Sequence, residues 1–375
     1  MTCVVVAYQA LLEEVDLASA KDIYTDEMTY QGQTLHSETN PALMPGRGMG
    51  VYDAPGLKLI GDIDPNDVAQ GSVGVCWLLS AISALAEFDG AVKRLFAKNE
   101  GIDTMPRDGP NSYVVTLYEL STFEPVDIVV DERLAAKADG SGLLGCKPSA
   151  DGELWPCYLE KAVAAHCGGW DNIDGGQCTH AWALLTGCRE QYTIQLDGEK
   201  YKCFGAFNPN EEKWETLSNS PHEGFRGNWP MAWPTVGGGG GMDLRLNEEE
   251  LFDRLCAWDA EDFIIGVGTK AGSDTEVTDG IVDGHAYTVL TCVRNVAGTE
   301  FDLAKIRNPW GSGEFESGMW DDDGPGWTDY PDVKVALNPE LGVDDGVFWV
   351  SREEFFKYFT TVYLSASDMT HFKED

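Results

Sequence analysis

The residues with the clearest chemical potential stand in the segment Gln70-Gly71-Ser72-Val73-Gly74-Val75-Cys76-Trp77-Leu78-Leu79, where a cysteine follows two glycines and precedes a helix-forming run. From Trp77 to Phe88 the chain is mostly Leu, Ala, Ser and Ile, with Leu78, Ala81, Ile82 and Leu85 spaced as one helical face, which predicts a helix starting near Cys76. A thiol in the first turn of a helix gains from the dipole and from free backbone N–H groups, and both lower its pKa toward working pH. Cys76 is therefore the candidate nucleophile. Upstream, the side-chain amide of Gln70 can join the Cys76 N–H in stabilising the oxyanion that forms when a thiolate attacks a carbonyl.

Taken alone, a free cysteine is more often a small buried hydrophobe than a nucleophile. The rest of the chain shifts that balance. Asp283-Gly284-His285-Ala286-Tyr287-Thr288-Val289-Leu290 reads as a strand carrying a histidine, and Ile306-Arg307-Asn308-Pro309-Trp310-Gly311 as a strand end that breaks into a turn at Pro309. A thiol protease needs an imidazole to take and return the proton, and an amide or carboxylate to fix the ring's tautomer and orientation. Asn308 can accept from one nitrogen of His285 while the other faces Cys76.

These three segments resemble the protease core of the calpain family. Val126-Asp127-Ile128-Val129-Val130-Asp131, Leu159-Glu160-Lys161-Ala162 and Gly346-Val347-Phe348-Trp349-Val350-Ser351 extend the likeness in the family's order, from roughly Ile60 to Leu364, with a divergent stretch from about Gln191 to Met242. Papain-like secreted peptidases share the Gln–Cys spacing and the Cys-Trp pair. Their signature, however, sets a cysteine three residues before the nucleophile, where this chain has Val73, and their histidine follows at about 130–150 residues, a shorter interval than from Cys76 to His285.

The resemblance implies an α+β, papain-like, two-lobed cysteine protease core: a helix-rich lobe carrying the Cys and an antiparallel β sandwich or barrel lobe carrying the His and Asn. It also implies that Trp310 shields the His–Asn hydrogen bond, and that calcium binding in each lobe brings the catalytic groups together. By motif position, Asp67 and Glu160 would serve the first lobe, with the Ile60 carbonyl and a backbone oxygen near Asp62. Glu314, Asp322 and Asp345, with the Val343 carbonyl, would serve the second, leaving Asp321 and Asp322 as alternatives at one position. Val347 stands where the family has a further glutamate, which predicts a weak or absent second site unless Asp321 or Asp344 compensates.

Length and composition fit a two-lobed globular enzyme: 375 residues, 43% hydrophobic and 11% aromatic. The N-terminus lacks the basic n-region of a signal peptide, and no apolar run reaches the ~20 residues of a membrane span. Ten cysteines are scattered singly, without paired metal-ligand spacings, so a reduced, cytoplasmic setting is expected. With 63 acidic against 26 basic side chains, the formal charge of −37 argues against nucleic acid or anionic membrane as a direct partner. Part of the excess is clustered at Glu248-Glu249-Glu250, Asp321-Asp322-Asp323 and Asp344-Asp345, and solvated faces account for such runs equally well.

Texture along the chain predicts an N-terminal extension over 1–55, a first lobe over 56–189, a second over 190–366, and a tail over 367–375. The first lobe should hold the Cys76 helix, a strand pair Tyr113–Leu120 and Val126–Val130, and a helix around Leu159–Ala165. The second should hold β-rich runs at Phe263–Gly268, Ala286–Val293 and Gly346–Val350, covered by a helix over Glu248–Trp258. The glycine run at 237–241 lacks a following Gly-Lys-Ser/Thr and reads as a surface loop, and no EF-hand pattern occurs that would recruit a small regulatory subunit. His36, His166, His180, His222 and His371 have no spacing to a second ligand and read as non-catalytic. The expected function is calcium-dependent limited proteolysis of intracellular proteins. The alternative is a calpain-like protein-binding or regulatory module whose lobes do not align.

Overall fold

A computed structural model describes residues 29–30, 33–34, 58–99, 112–120, 122–131, 134, 143–205, 229–230, 233–234, 241 and 243–372. Most of the N-terminal extension, most of the glycine run, His36 and His222 lie outside these residues. The expected helix-rich and antiparallel lobes are both present. A short hairpin, β1 (Thr29–Tyr30) with β2 (Gln33–Thr34), comes first. The first lobe follows with α1 (Cys76–Leu85), α2 (Asp89–Leu95), the antiparallel pair β3 (Ser112–Tyr118) and β4 (Pro125–Asp131), α3 (Trp155–His166) and α4 (Cys178–Thr186).

Helix α1 is buried along its whole length from Trp77 to Leu85, not on one face only. The cause is its position between α4 on one side and the second lobe's sheet on the other. A helix apolar all round is stable only when enclosed in this way. Helix α4 had no expectation in the sequence, because Gly175, Gly176 and Gly187 read as loop. Gly187 in fact ends α4 in the left-handed region, at φ 69, where its missing side chain satisfies a helix C-terminus at little cost. Trp182 on α4 reaches α1 and donates its Nε1–H to the Ala81 carbonyl at 3.2 Å.

The second lobe is built on one eight-stranded antiparallel sheet. Its strands are β5 (Gln191–Asp197), β6 (Lys200–Gly205), β7 (Trp229–Pro230), β8 (Ile264–Thr269), then, after the hairpin β9 (Val277–Thr278) and β10 (Ile281–Val282), β11 (Ala286–Val293), β12 (Leu303–Arg307), β13 (Val347–Ser351) and β14 (Phe359–Ser365). Their order is β13-β12-β11-β8-β14-β5-β6-β7. Helix α5 (Glu248–Asp259) is capped by Asn247 and covers one face through Leu251, Phe252, Leu255 and Trp258. Helices α6 (Gly326–Asp329), α7 (Pro331–Leu337) and α8 (Arg352–Tyr358) complete the lobe.

Each lobe has its own apolar core, and Ile264 and Ala286 of the sheet join the first lobe's core. The central strands β11 and β8 are therefore where the Cys-bearing helix meets the sheet. Thr288 on β11 donates its hydroxyl to the Ser80 carbonyl on α1 at 2.7 Å.

Candidate active site

Cys76 is the first residue of α1, and its N-cap, Val75, offers no side-chain cap. The N–H groups of Cys76 and Trp77 are thus left for other acceptors, whereas that of Leu78 donates to the Val75 carbonyl at 2.9 Å. Two glycine-dependent contacts shape the approach. A Cβ on Gly71 would fall 1.9 Å from the Gly145 carbonyl oxygen, and the Gly175 N–H donates to the Gly74 carbonyl at 2.8 Å. The thiol is half-buried. Burial pushes its pKa up, while the N–H groups of Ala286 and Trp77 act in the opposite direction. The sequence expectation of a depressed thiol pKa is corrected on this point: the helix start is present, but loss of water outweighs it.

Ala286 immediately follows His285, so the backbone on the sheet side of the cleft lies against the Cys76 sulphur. The His285 Nε2 lies 2.9 Å from Asn308 Oδ1. Asn308 is fully buried, and its amide orientation follows from its other bonds: Nδ2 donates to the Gly313 carbonyl at 2.9 Å, and Oδ1 accepts the Trp310 N–H at 3.1 Å. With Oδ1 an acceptor, His285 Nε2 must carry the proton, which leaves Nδ1 with a free lone pair. That is the tautomer a base needs. The Trp310 ring lies over His285 with centroids 4.9 Å apart, and Tyr287 meets the imidazole edge-on. Burial lowers the His285 pKa to about 4, against the raising effects of Asn308 and Asp274.

Burial disfavours the charged forms of both Cys76 and His285, and among the described residues no hydrogen bond joins the thiol to the ring. Catalytic contacts of this kind commonly tighten only in the substrate complex. Gln70 is buried, donates Nε2–H to the Val73 carbonyl at 2.8 Å, and has an Oε1 without a partner. One N–H of the amide remains for an oxyanion. The Gln70 backbone N–H crosses the cleft to the Pro309 carbonyl at 2.9 Å, tying it to the turn after Asn308. These side chains have the donor and acceptor types that attack on a carbonyl requires.

A family model described as calpain family cysteine protease matches residues 37–366. The chain belongs to the calpain family. It is 30% identical over 312 residues to the calpain-type cysteine protease DEK1 of Arabidopsis thaliana, covering 81% of this chain and 12% of that protein. Mouse calpain-5 is 26% identical over 359 residues, covering 90% of this chain and 47% of its own length. The chicken calpain-2 catalytic subunit is 26% identical over 305 residues, covering 80% and 36%. The chain thus spans less than half the length of these relatives.

The oxygen-rich sets of this calpain core are placed unequally. In the second lobe, Glu314 Oε1 accepts the N–H groups of Asp345 and Gly346, each at 3.0 Å. Burial raises the Glu314 pKa to about 7, and the charges of Asp322 and Asp345 add to the effect. The Asp322 carboxylate accepts the Gly342 N–H at 2.6 Å. Asp321 instead accepts the Gly318 N–H, and Asp344 accepts the Gly313 N–H. Val347 is half-buried and its N–H donates to Asp345, while the Val343 carbonyl accepts the Asp345 N–H.

In the first lobe, Asp67 Oδ2 accepts from the Asp64 N–H and the Trp155 indole, and burial raises its pKa to about 7. Glu160 Oε2 accepts the Cys146 N–H at 2.7 Å, Oε1 is buried without a partner, and its pKa is pushed up to about 8. An orphaned buried carboxylate oxygen and all-oxygen donors suit a hard cation. Ile60 is buried and Asp62 exposed in the same segment.

Two features escaped the sequence reading. Asp151 and Glu153 cluster with Asp67, and Lys58 lies 3.1 Å from Asp151 and 2.9 Å from Glu153. Nothing in the local pattern pairs Lys58 with Glu153, because a parallel bridge between distant segments brings them together. Arg307 was visible only as part of the motif around Asn308. His180 packs edge-on to Trp77 and His166 lies near Glu119, so both histidines belong to the first lobe's interior.

Proposed function

We propose that this calpain-family chain is a calcium-responsive, cytoplasmic cysteine endopeptidase acting on proteins through Cys76, His285 and Asn308. The observation that carries the reading is the fixed His285–Asn308 pair under Trp310, with the adjoining Ala286 N–H directed at the Cys76 sulphur. In this scheme His285 Nδ1 accepts the thiol proton as sulphur attacks the peptide carbonyl. Gln70 Nε2–H and the Cys76 N–H receive the developing oxyanion. His285 then gives the proton to the leaving amine, and an acyl-enzyme results. Water, deprotonated by His285, attacks the thioester and releases the acid. Asn308 holds the ring throughout, and Trp310 keeps water from their bond.

Calcium, when bound, would supply positive charge that offsets carboxylates in each lobe. Glu314, Asp322 and Asp345 would hold it in the second lobe, and Asp67 and Glu160 in the first. The burial-neutral Cys76–His285 pair supports a second reading, a calpain-like protein-binding module of low turnover. Casein cleavage and epoxysuccinyl labelling across a calcium titration separate the two. The protease reading expects both to rise with calcium and to vanish in Cys76→Ala, whose fold persists. Cleavage retained by Cys76→Ala would reject Cys76 as nucleophile, and absence of cleavage and labelling at all calcium levels would favour the binding module.

A further inference from the structure

We propose that Arg307 is a positioning residue that clamps the two lobes in register, fixing Asn308 against the elements that carry Gln70 and Cys76. The proposal rests on the cysteine-protease reading of the same site. Arg307 ends β12 and is fully buried. Its guanidinium leaves its own lobe and donates to three acceptors of the other. Nε donates to Asn66 Oδ1 at 3.1 Å, Nη1 to Ser83 Oγ at 3.3 Å, and Nη2 to the Val68 carbonyl at 2.6 Å.

Those partners are informative. Asn66 and Val68 flank Asp67 in the turn that leads directly to Gln70, and Ser83 is on α1, the helix that Cys76 begins. One side chain therefore grips both first-lobe elements of the site, while its own backbone continues into Asn308. The Gln70 N–H to Pro309 bond closes the same loop two residues later.

The residue type fits this task better than a stabilising one. A buried guanidinium held by neutral acceptors is costly compared with an apolar side chain. Burial lowers the Arg307 pKa to about 10, and its charge is offset at a distance by Asp345 of one lobe and Asp64 and Asp67 of the other. What the planar fork offers is fixed angles to several acceptors at once, which a lysine cannot reproduce. Packing does not do the work alone beside it. A cavity of about 240 Å³ separates Asp64, Pro65 and Asn66 from Lys305, Asp345 and Val347.

The test uses Arg307→Lys, which keeps the charge and loses the fork, and Asn66→Ala, which removes one bond from an exposed partner. Three quantities are read for each: the thermal midpoint, kcat and KM on casein-derived peptide, and the pH profile of Cys76 alkylation by iodoacetamide. An ångström-scale misplacement of reacting groups costs on the order of 100-fold in rate. Arg307→Lys should lose about that in kcat with KM little changed, and its alkylation profile should move toward that of an isolated thiol. Asn66→Ala should show the same kcat-specific loss, smaller. Wild-type kcat and alkylation profile in a folded Arg307→Lys protein would overturn the proposal, as would a loss in both variants that follows only the unfolded fraction. Should the wild type alkylate with a histidine-coupled profile yet cleave nothing, the protease reading fails while the alkylation comparison still decides the role of Arg307.

Discussion

The Gln70 backbone N–H donates to the Pro309 carbonyl at 2.9 Å, so the amide placed to receive an oxyanion and the turn that follows the histidine's partner are joined by one hydrogen bond across the cleft. Neither residue reaches its place through its own lobe alone. The Gln70 side chain is further fixed on the Val73 carbonyl, which leaves a single N–H free to act.

Gln70→Ala should retain labelling of Cys76 but lose about 10²–10³ in kcat, the scale for one oxyanion donor. Peptide kinetics beside active-site titration would measure this. Unchanged kcat would remove Gln70 from the reaction.

Stability in chelator should fall as pH rises from 6.5 to 8. Asp67, Glu160 and Glu314 have folded pKa values raised to about 7, 8 and 7. The native state therefore binds more protons than the unfolded chain above the ordinary carboxylate range, and stability declines with pH up to those values. His285 works the other way, because its folded pKa is lowered from 6.5 to about 4, and its contribution is complete by pH 6.5. Thermal midpoints across this window should drop, and Glu160→Gln should flatten the slope. A midpoint that rises steadily to pH 8 would contradict the assignment.

Lys58→Gln should destabilise the first lobe. Glu153 is fully buried, and Lys58, 2.9 Å away and 31% exposed, is its counter-charge. Breaking a fully buried pair costs about 3–5 kcal/mol, and the partial exposure of Lys58 reduces this. Urea unfolding gives the value, and the double variant Lys58→Gln/Glu153→Gln should recover part of the loss.

Calcium should raise the thermal midpoint more at pH 8 than at pH 6.5, because the raised pKa values of Asp67, Glu160 and Glu314 leave more of their carboxyls ionised at the higher pH. Asp67→Asn and Asp345→Asn should each weaken binding measured by calorimetry. With Val347 in place of a charged ligand, the second-lobe site should be the weaker, so Asp67→Asn should shift the calcium midpoint of activity further. Equal shifts, or no heat of binding in the wild type, would count against this division.

By itself the sequence determined the class of the fold and singled out the candidate residues. A glutamine, cysteine, histidine and asparagine in that order, each beside a glycine, tryptophan or proline that sets its local backbone, are local features and legible in one dimension. Helix α1 and strands β8 and β11 followed from periodicity for the same reason. The burial of α1 on every side did not, because a run of Leu, Ala and Ser looks alike whether one face or all faces are covered, and only the closure of the sheet over it decides. That closure also reversed the expected thiol pKa, since desolvation depends on what surrounds Cys76 rather than on its place in the helix. The tertiary structure likewise decided the pairing of Lys58 with Glu153 and the reach of Arg307 to Asn66, Val68 and Ser83. Such contacts join residues far apart in the chain: the first depends on how the first lobe packs and the second on the relative position of the two lobes, and no local pattern encodes either.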